Sequence, residues 1–109
     1  MSKIIKKEYS DRTIYTLNGV IHREDGPAIE YHNGDKLWYI NGHLHREDGP
    51  AAEQYGDKAW CLHGKIHREN GPAIERADGS KQYWVNGECL DFITSNQMLS
   101  YYLKYGFLK

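Results

Sequence analysis

The chain has 109 residues, 39% of them hydrophobic and 27% charged, enough for one domain with a thin core and too few for a second. Fourteen Lys and Arg against fifteen Asp and Glu leave a net charge of −1, so the field that draws a protein to nucleic acid or to anionic lipid is missing, and neither partner is predicted. The apolar content is largely aromatic, nine Tyr and three Trp against two Phe, and side chains with an apolar body and a polar tip suit a pleated sheet with water near both faces.

Residues 1–12 read as an N-terminal capping strand: Ile4 to Tyr9 looks like the second half of a missing unit, turning at Ser10 and Asp11 into the first full strand. Lys3, Lys6, Lys7, Glu8, Asp11 and Arg12 punctuate the first fifteen residues and leave no unbroken apolar stretch for a signal peptide or a membrane span. A cytoplasmic chain is expected.

From residue 13 onward the sequence repeats itself. His-Arg-Glu-Asp-Gly-Pro-Ala stands at His22 to Ala28, again at His45 to Ala51, and again at His67 to Ala73 with Asn70 in place of Asp, every 22 or 23 residues. A period of that length marks a repeat array, in which each unit buries its apolar face against its neighbours. The units run 13–36, 37–58 and 59–81, with a partial one over 82–93. Gly19, Gly26, Gly34, Gly42 and their successors to Gly87 follow at intervals of seven or eight, mostly after Asn or Asp, the pairing that lets two consecutive residues take positive φ in a tight turn.

Between the turns, Thr13 to Leu17, Leu37 to Ile40, Ala59 to Leu62 and Gln82 to Val85 are rich in β-branched and aromatic residues and read as strands. Stacking the units aligns Tyr15, Trp38, Trp60 and Tyr83 in one column and Leu17, Ile40, Leu62 and Val85 in another two residues on, which period two places on the same face. Ile21, Leu44, Ile66 and Cys89 form a third column, and the acids Glu30, Glu53 and Glu75 a fourth. Identical sequence requires identical surroundings, so each unit is expected to add two ladder strands, of the types Leu37 to Ile40 and Ala51 to Gln54, joined by the compact connection Asn41 to Pro50. A short extra strand around Leu44 to Arg46 fits the same pattern. Pro suits the start of the second strand, where its missing N–H removes no ladder bond.

After Gly87 the motif stops. Thr94 with Gln97 makes a capping box, Met98, Leu99, Tyr102 and Leu103 line one helical face, and Gly106 is the stop, which predicts a helix cap over 94–109. Exposed Tyr101, Tyr105 and Phe107 then form a candidate partner surface. The expected architecture is a single all-β domain: an elongated, twisted antiparallel sheet of stacked β-hairpins with one C-terminal capping α-helix. Cys61 and Cys89 sit at ordinary apolar positions without metal-ligand spacing and are expected to be reduced thiols.

Units of this kind, reading Tyr or Trp, then Asn-Gly, then His, then Gly-x-Ala and closing with Asp-Gly or Asn-Gly, resemble the variant form of the MORN repeat over residues 13 to 88. The version Trp-Tyr-Ile-Asn-Gly-His-Leu-His-Arg-Glu-Asp-Gly-Pro-Ala at Trp38 to Ala51 is similar to repeats in small proteins of tailed bacteriophages. Pro27, Pro50 and Pro72 stand where the usual pattern has Gly-x-Gly. The resemblance implies an elongated hairpin array that binds other proteins without catalysis and, for a phage relative, an accessory protein acting on a host factor.

His-Arg-Glu-Asp also invites a chemical reading, as a metal-dependent nuclease or hydrolase. Repetition opposes it, since an active site needs one constellation, and Asp exchanged for Asn70 keeps turn geometry while changing a catalytic or metal-binding carboxylate. Equivalent histidines two strands apart lie about 10 Å from each other, too far to share one zinc. The residues His22, Arg23, Glu24, His45, Arg46, Glu47, His67, Arg68 and Glu69 are therefore expected to form a structural network, each His beside the preceding aromatic and each Arg paired with a carboxylate, with no cofactor or metal. His32, His43 and His63 are expected to be exposed and incidental. Capture of a small anionic nucleotide by the arginines is a further alternative. The leading expectation is a non-enzymatic module that binds another protein and self-associates to cover a sheet face.

Overall fold

The computed structural model describes residues 3–90, so the predicted helix and the Tyr101, Tyr105 and Phe107 surface lie outside the described residues. Within them the chain folds into short strands, all paired antiparallel: β1 (Ile4–Glu8), β2 (Arg12–Leu17), β3 (Val20–Ile21), β4 (Ile29–Tyr31), β5 (Lys36–Leu37), β6 (Tyr39–Ile40), β7 (His43–Leu44), β8 (Ala52–Gln54), β9 (Asp57–Ala59), β10 (Cys61–Leu62), β11 (Lys65–Ile66), β12 (Ile74–Glu75), β13 (Lys81–Gln82), β14 (Trp84–Val85) and β15 (Glu88–Cys89). The main sheet runs β1-β2-β4-β5-β8-β9-β12-β13, so each sequence unit adds two strands to it, as equivalence of the units requires. β1 occupies one edge, paired along its length from Ile4↔Leu17 to Glu8↔Thr13.

The expected long strand of the type Leu37 to Ile40 is broken at its aromatic residue. Trp38 donates its backbone N–H to Ala51 O at 2.7 Å in the main sheet, while its own carbonyl accepts from His45 N at 3.0 Å in a second row of hairpins. Tyr15 and Trp60 are split between the rows in the same way, through Ala28 and His22, and through Ala73 and His67. The second row comprises the β2–β3 tip and the pairs β6–β7, β10–β11 and β14–β15. Arg23 N to Tyr39 O at 3.0 Å and Gly42 N to Ile21 O at 2.8 Å join one small hairpin to the next, and Arg46 to Cys61 with Gly64 to Leu44 repeats the link.

Turn chemistry explains where the small hairpins reverse. Asn41 and Gly42 take φ of 50° and 80°, the two consecutive positive values of a tight hairpin turn, and His63 and Gly64 do the same at 50° and 81°. Asn tolerates that region through its short polar side chain, and His63 shows that it is not required. The glycines of the polar motif differ from this expectation: Gly26, Gly49 and Gly71 have no positive φ and serve another purpose.

The core is thin and lies where the two rows meet. Ala28, Ala51 and Ala73 are fully buried, each directly after the motif proline, and Ile29, Leu37, Cys61, Val85 and Leu90 join them. Ala is small enough to let the connection lie against the sheet. Ala28 N donates to Leu37 O and Ala73 N to Gln82 O, both at 2.8 Å, so main-sheet pairing begins at the residue after each proline, as the missing proline N–H demands. The radius of gyration is 15.8 Å with extents of 49 × 33 × 22 Å, longer than the roughly 13 Å of a compact chain this size. No helix among the described residues is long and apolar enough to cross a membrane.

Candidate functional site: the row of polar connections

Each copy of the motif runs from the end of a small hairpin back to the main sheet, and its arginine is the centre of it. The guanidinium carbons of Arg23, Arg46 and Arg68 lie 4.0, 3.8 and 3.9 Å from the ring centroids of Tyr15, Trp38 and Trp60. A guanidinium over an aromatic face gains from the ring quadrupole and from flat stacking, which an ammonium does less well. On its other side stands the motif glycine: a Cβ built on Gly26, Gly49 or Gly71 would sit 3.0, 2.8 or 2.9 Å from the arginine Cζ. These glycines provide space, and the repeated Gly-Pro step follows from it.

Part of the rim of the guanidinium is occupied as well. Nη1 donates to the carbonyl of Pro27, Pro50 or Pro72 at 3.1, 3.1 and 3.0 Å, and Nε of Arg23 and Arg46 donates to Asp25 and Asp48 at 3.0 and 3.1 Å. Nη1 also faces the fourth-column acids, Glu30 at 2.9 Å and Glu53 and Glu75 at 3.6 Å. Thus the expected arginine–carboxylate pairs form, all within one sequence unit. Around Arg68, Asn70 replaces the Asp and the stack with Trp60 persists.

The histidines act between units. Backbone N–H groups of Asn41, His63 and Asn86, each in the next turn along, donate to Nδ1 of His22, His45 and His67 at 2.9 Å in every case. With Nδ1 accepting, the hydrogen bond assigns the remaining ring proton to Nε2. Nε2 of His22 and of His67 faces Glu24 and Glu69 at 3.5 and 3.6 Å. Each of these histidines pairs through its backbone N–H with the carbonyl of the preceding aromatic, while the guanidinium covers that ring and the imidazole reaches the neighbouring turn. His22 and His67 are buried and His45 half-buried.

His32, His43 and His63 are exposed as expected, yet His63 is not incidental, since it supplies the amide to His45 and its ring lies 4.5 Å from that imidazole. Sequence reasoning left out the proline carbonyls and the glycine faces. Their signal was the unchanged Gly-Pro in every copy. Trp38 Nε1 is buried without a hydrogen-bond partner among the described residues, and nothing in its surroundings accounts for it.

Between successive connections the surface opens into grooves. One, about 450 Å³, has Trp60 and Leu62 in its lining with Glu47 and Glu69, and the other, about 420 Å³, has Trp38 and Ile40 with Glu24 and Glu47. Glu24, Glu47 and Glu69 are exposed, whereas the arginines are held in their stacks. Among the described residues there is no group of three His, Cys, Asp or Glu placed to hold a metal ion. Cys61 and Cys89 are buried and neither is in a disulfide, and burial pushes the Cys61 thiol up from its ordinary range.

Over the described residues, fold and connections together define an all-β architecture built of antiparallel hairpins, cross-braced by cation–aromatic stacks. Comparison with protein-family models, with curated proteins and with solved structures found no match to this chain.

Proposed function

We propose that this chain is a repeat array of the MORN type acting as a non-catalytic protein-binding module, with the row of polar connections as its working surface and a host protein as partner, as the resemblance to tailed-phage repeats implies. One observation carries the reading: the arginine and the histidine of each copy are spent on equivalent supporting contacts, Arg on ring, proline carbonyl and carboxylate, and His on the next turn's amide. A nuclease or hydrolase needs one copy that differs from the others by holding a reactive group free. Anion capture needs guanidinium groups that are available, and those of Arg23, Arg46 and Arg68 are engaged on a ring face and, through Nη1, on a proline carbonyl and an acid.

The test is affinity capture from host lysate with the intact chain and with a variant carrying Glu24→Gln, Glu47→Gln and Glu69→Gln, whose melting curve should match the parent because all three side chains are exposed. A protein retained by the parent and lost by the variant supports the reading. Turnover of a nucleic-acid or ester substrate that disappears on changing a single copy would overturn it.

A further inference from the structure

Resting on that reading, the grooves point to the chemistry of the partner. We infer that the row binds an extended segment in the polyproline II conformation with Lys or Arg at every third position, one basic side chain entering each groove.

Three features lead there. The first is charge: Glu24 and Glu47 line one groove and Glu47 and Glu69 the next, with Asp48 in both and with Glu24 and Glu69 side chains 82% and 65% exposed, while Arg23, Arg46 and Arg68, which share the lining, are each paired with an acid of their own connection. A cationic side chain meets solvent-exposed carboxylates there, and an anionic one meets like charge. The second is the apolar lining, an indole and an aliphatic side chain per groove, Trp38 with Ile40 and Trp60 with Leu62, which suits proline rings or the methylene stem of a lysine.

The third is spacing. Each groove advances by one unit, two strands of the sheet, or about 9.6 Å. A ligand touching successive grooves crosses the strands, so it cannot join the ladder as an added strand, and its backbone must do without sheet hydrogen bonds. Polyproline II meets this condition: it has no internal hydrogen bonds, and three residues per turn at about 3.1 Å return a side chain to the same face every 9.3 Å or so. An extended β-strand returns one at about 6.7 or 13 Å and falls out of register. The stiffness of the conformation also reduces the entropy lost on binding.

The experiment uses three labelled synthetic peptides and fluorescence anisotropy at low salt: Lys-Pro-Pro repeated five times, Glu-Pro-Pro repeated five times, and a Lys-Pro repeat with the same number of lysines at every second position. The inference expects the first to bind at least tenfold more tightly than either of the others, and the Glu24→Gln, Glu47→Gln, Glu69→Gln variant to lose at least tenfold. Glu47→Lys, at the residue shared by both grooves, is a second probe should the triple variant fold poorly, with the same loss expected. Equal affinity for the two lysine spacings, no binding of the first peptide, or binding indifferent to these variants would overturn it. Carboxylate-dependent capture from lysate in the absence of peptide binding would overturn this inference while leaving the protein-binding reading in place.

Discussion

Arg46 lies over the indole of Trp38 with its guanidinium carbon 3.8 Å from the ring centroid, and Gly49 closes the other side so tightly that a Cβ there would come within 2.8 Å of the same carbon. Gly49→Ala should therefore displace the arginine and lower stability by about 1–3 kcal/mol, an overpacking effect with no contribution from φ. Chemical denaturation of Gly49→Ala, Arg46→Ala and the double variant checks this: the double variant should be less destabilised than the sum of the singles, since removing the arginine relieves the crowding. Strict additivity would show that the two do not press on each other.

Replacing Arg46 by Lys keeps the charge and discards the planar fork. The ammonium cannot stack flat on Trp38 while reaching both Asp48 and the Pro50 carbonyl, so a loss of about 1 kcal/mol is expected. A thermal melt indistinguishable from the parent would mean that charge alone matters here.

His22, His45 and His67 each accept an amide from the following turn, yet differ in burial, which grades the outcome of losing the acceptor. His22→Ala and His67→Ala should be destabilised by about 1–3 kcal/mol, because they strip a partly buried N–H of its partner and leave a cavity. His45→Ala should lose less, since water can reach the exposed amide of His63. The order of the three melting temperatures is the measurement.

Asp48→Asn makes the second copy of the motif read like the third. The Asp48 side chain is 86% exposed and its ion pair with Arg46 is in contact with water, so a change below about 0.5 kcal/mol is expected. A large loss would show that the third copy is held together differently from the second.

Burial raises the pKa of the Cys61 thiol, so less of it is thiolate at neutral pH than for a free cysteine, and reaction requires either higher pH or exposure. Alkylation of the folded chain should be slow at pH 7, faster as pH rises toward the thiol's raised range, and complete at once in denaturant. Mass spectrometry of timed iodoacetamide reactions, each stopped with excess small thiol, would follow it.

Local rules made much of the main sheet readable from residues alone. Asn41-Gly42 turns because Asn and Gly tolerate positive φ, pairing begins after Pro50 because proline brings no N–H, and the period of the motif sets two main-sheet strands per unit. The break at Trp38 was not readable in this way. Nothing in Leu37 to Ile40 says that the carbonyl of Trp38 will turn to a second row of hairpins, because that choice is made by hydrogen bonds to His45 and to neighbouring units.

The sequence by itself determined the repeat, the strand and turn positions, and the fact that Arg46 and its equivalents would find carboxylates, since all of these depend on short-range preference and spacing. Only the tertiary structure decided that the arginine takes the ring eight residues behind it while the histidine takes an amide 18 or 19 residues ahead. Both side chains are polar, both follow an aromatic at similar distance, and what separates them is the corner at which the chain leaves one row of strands for the other.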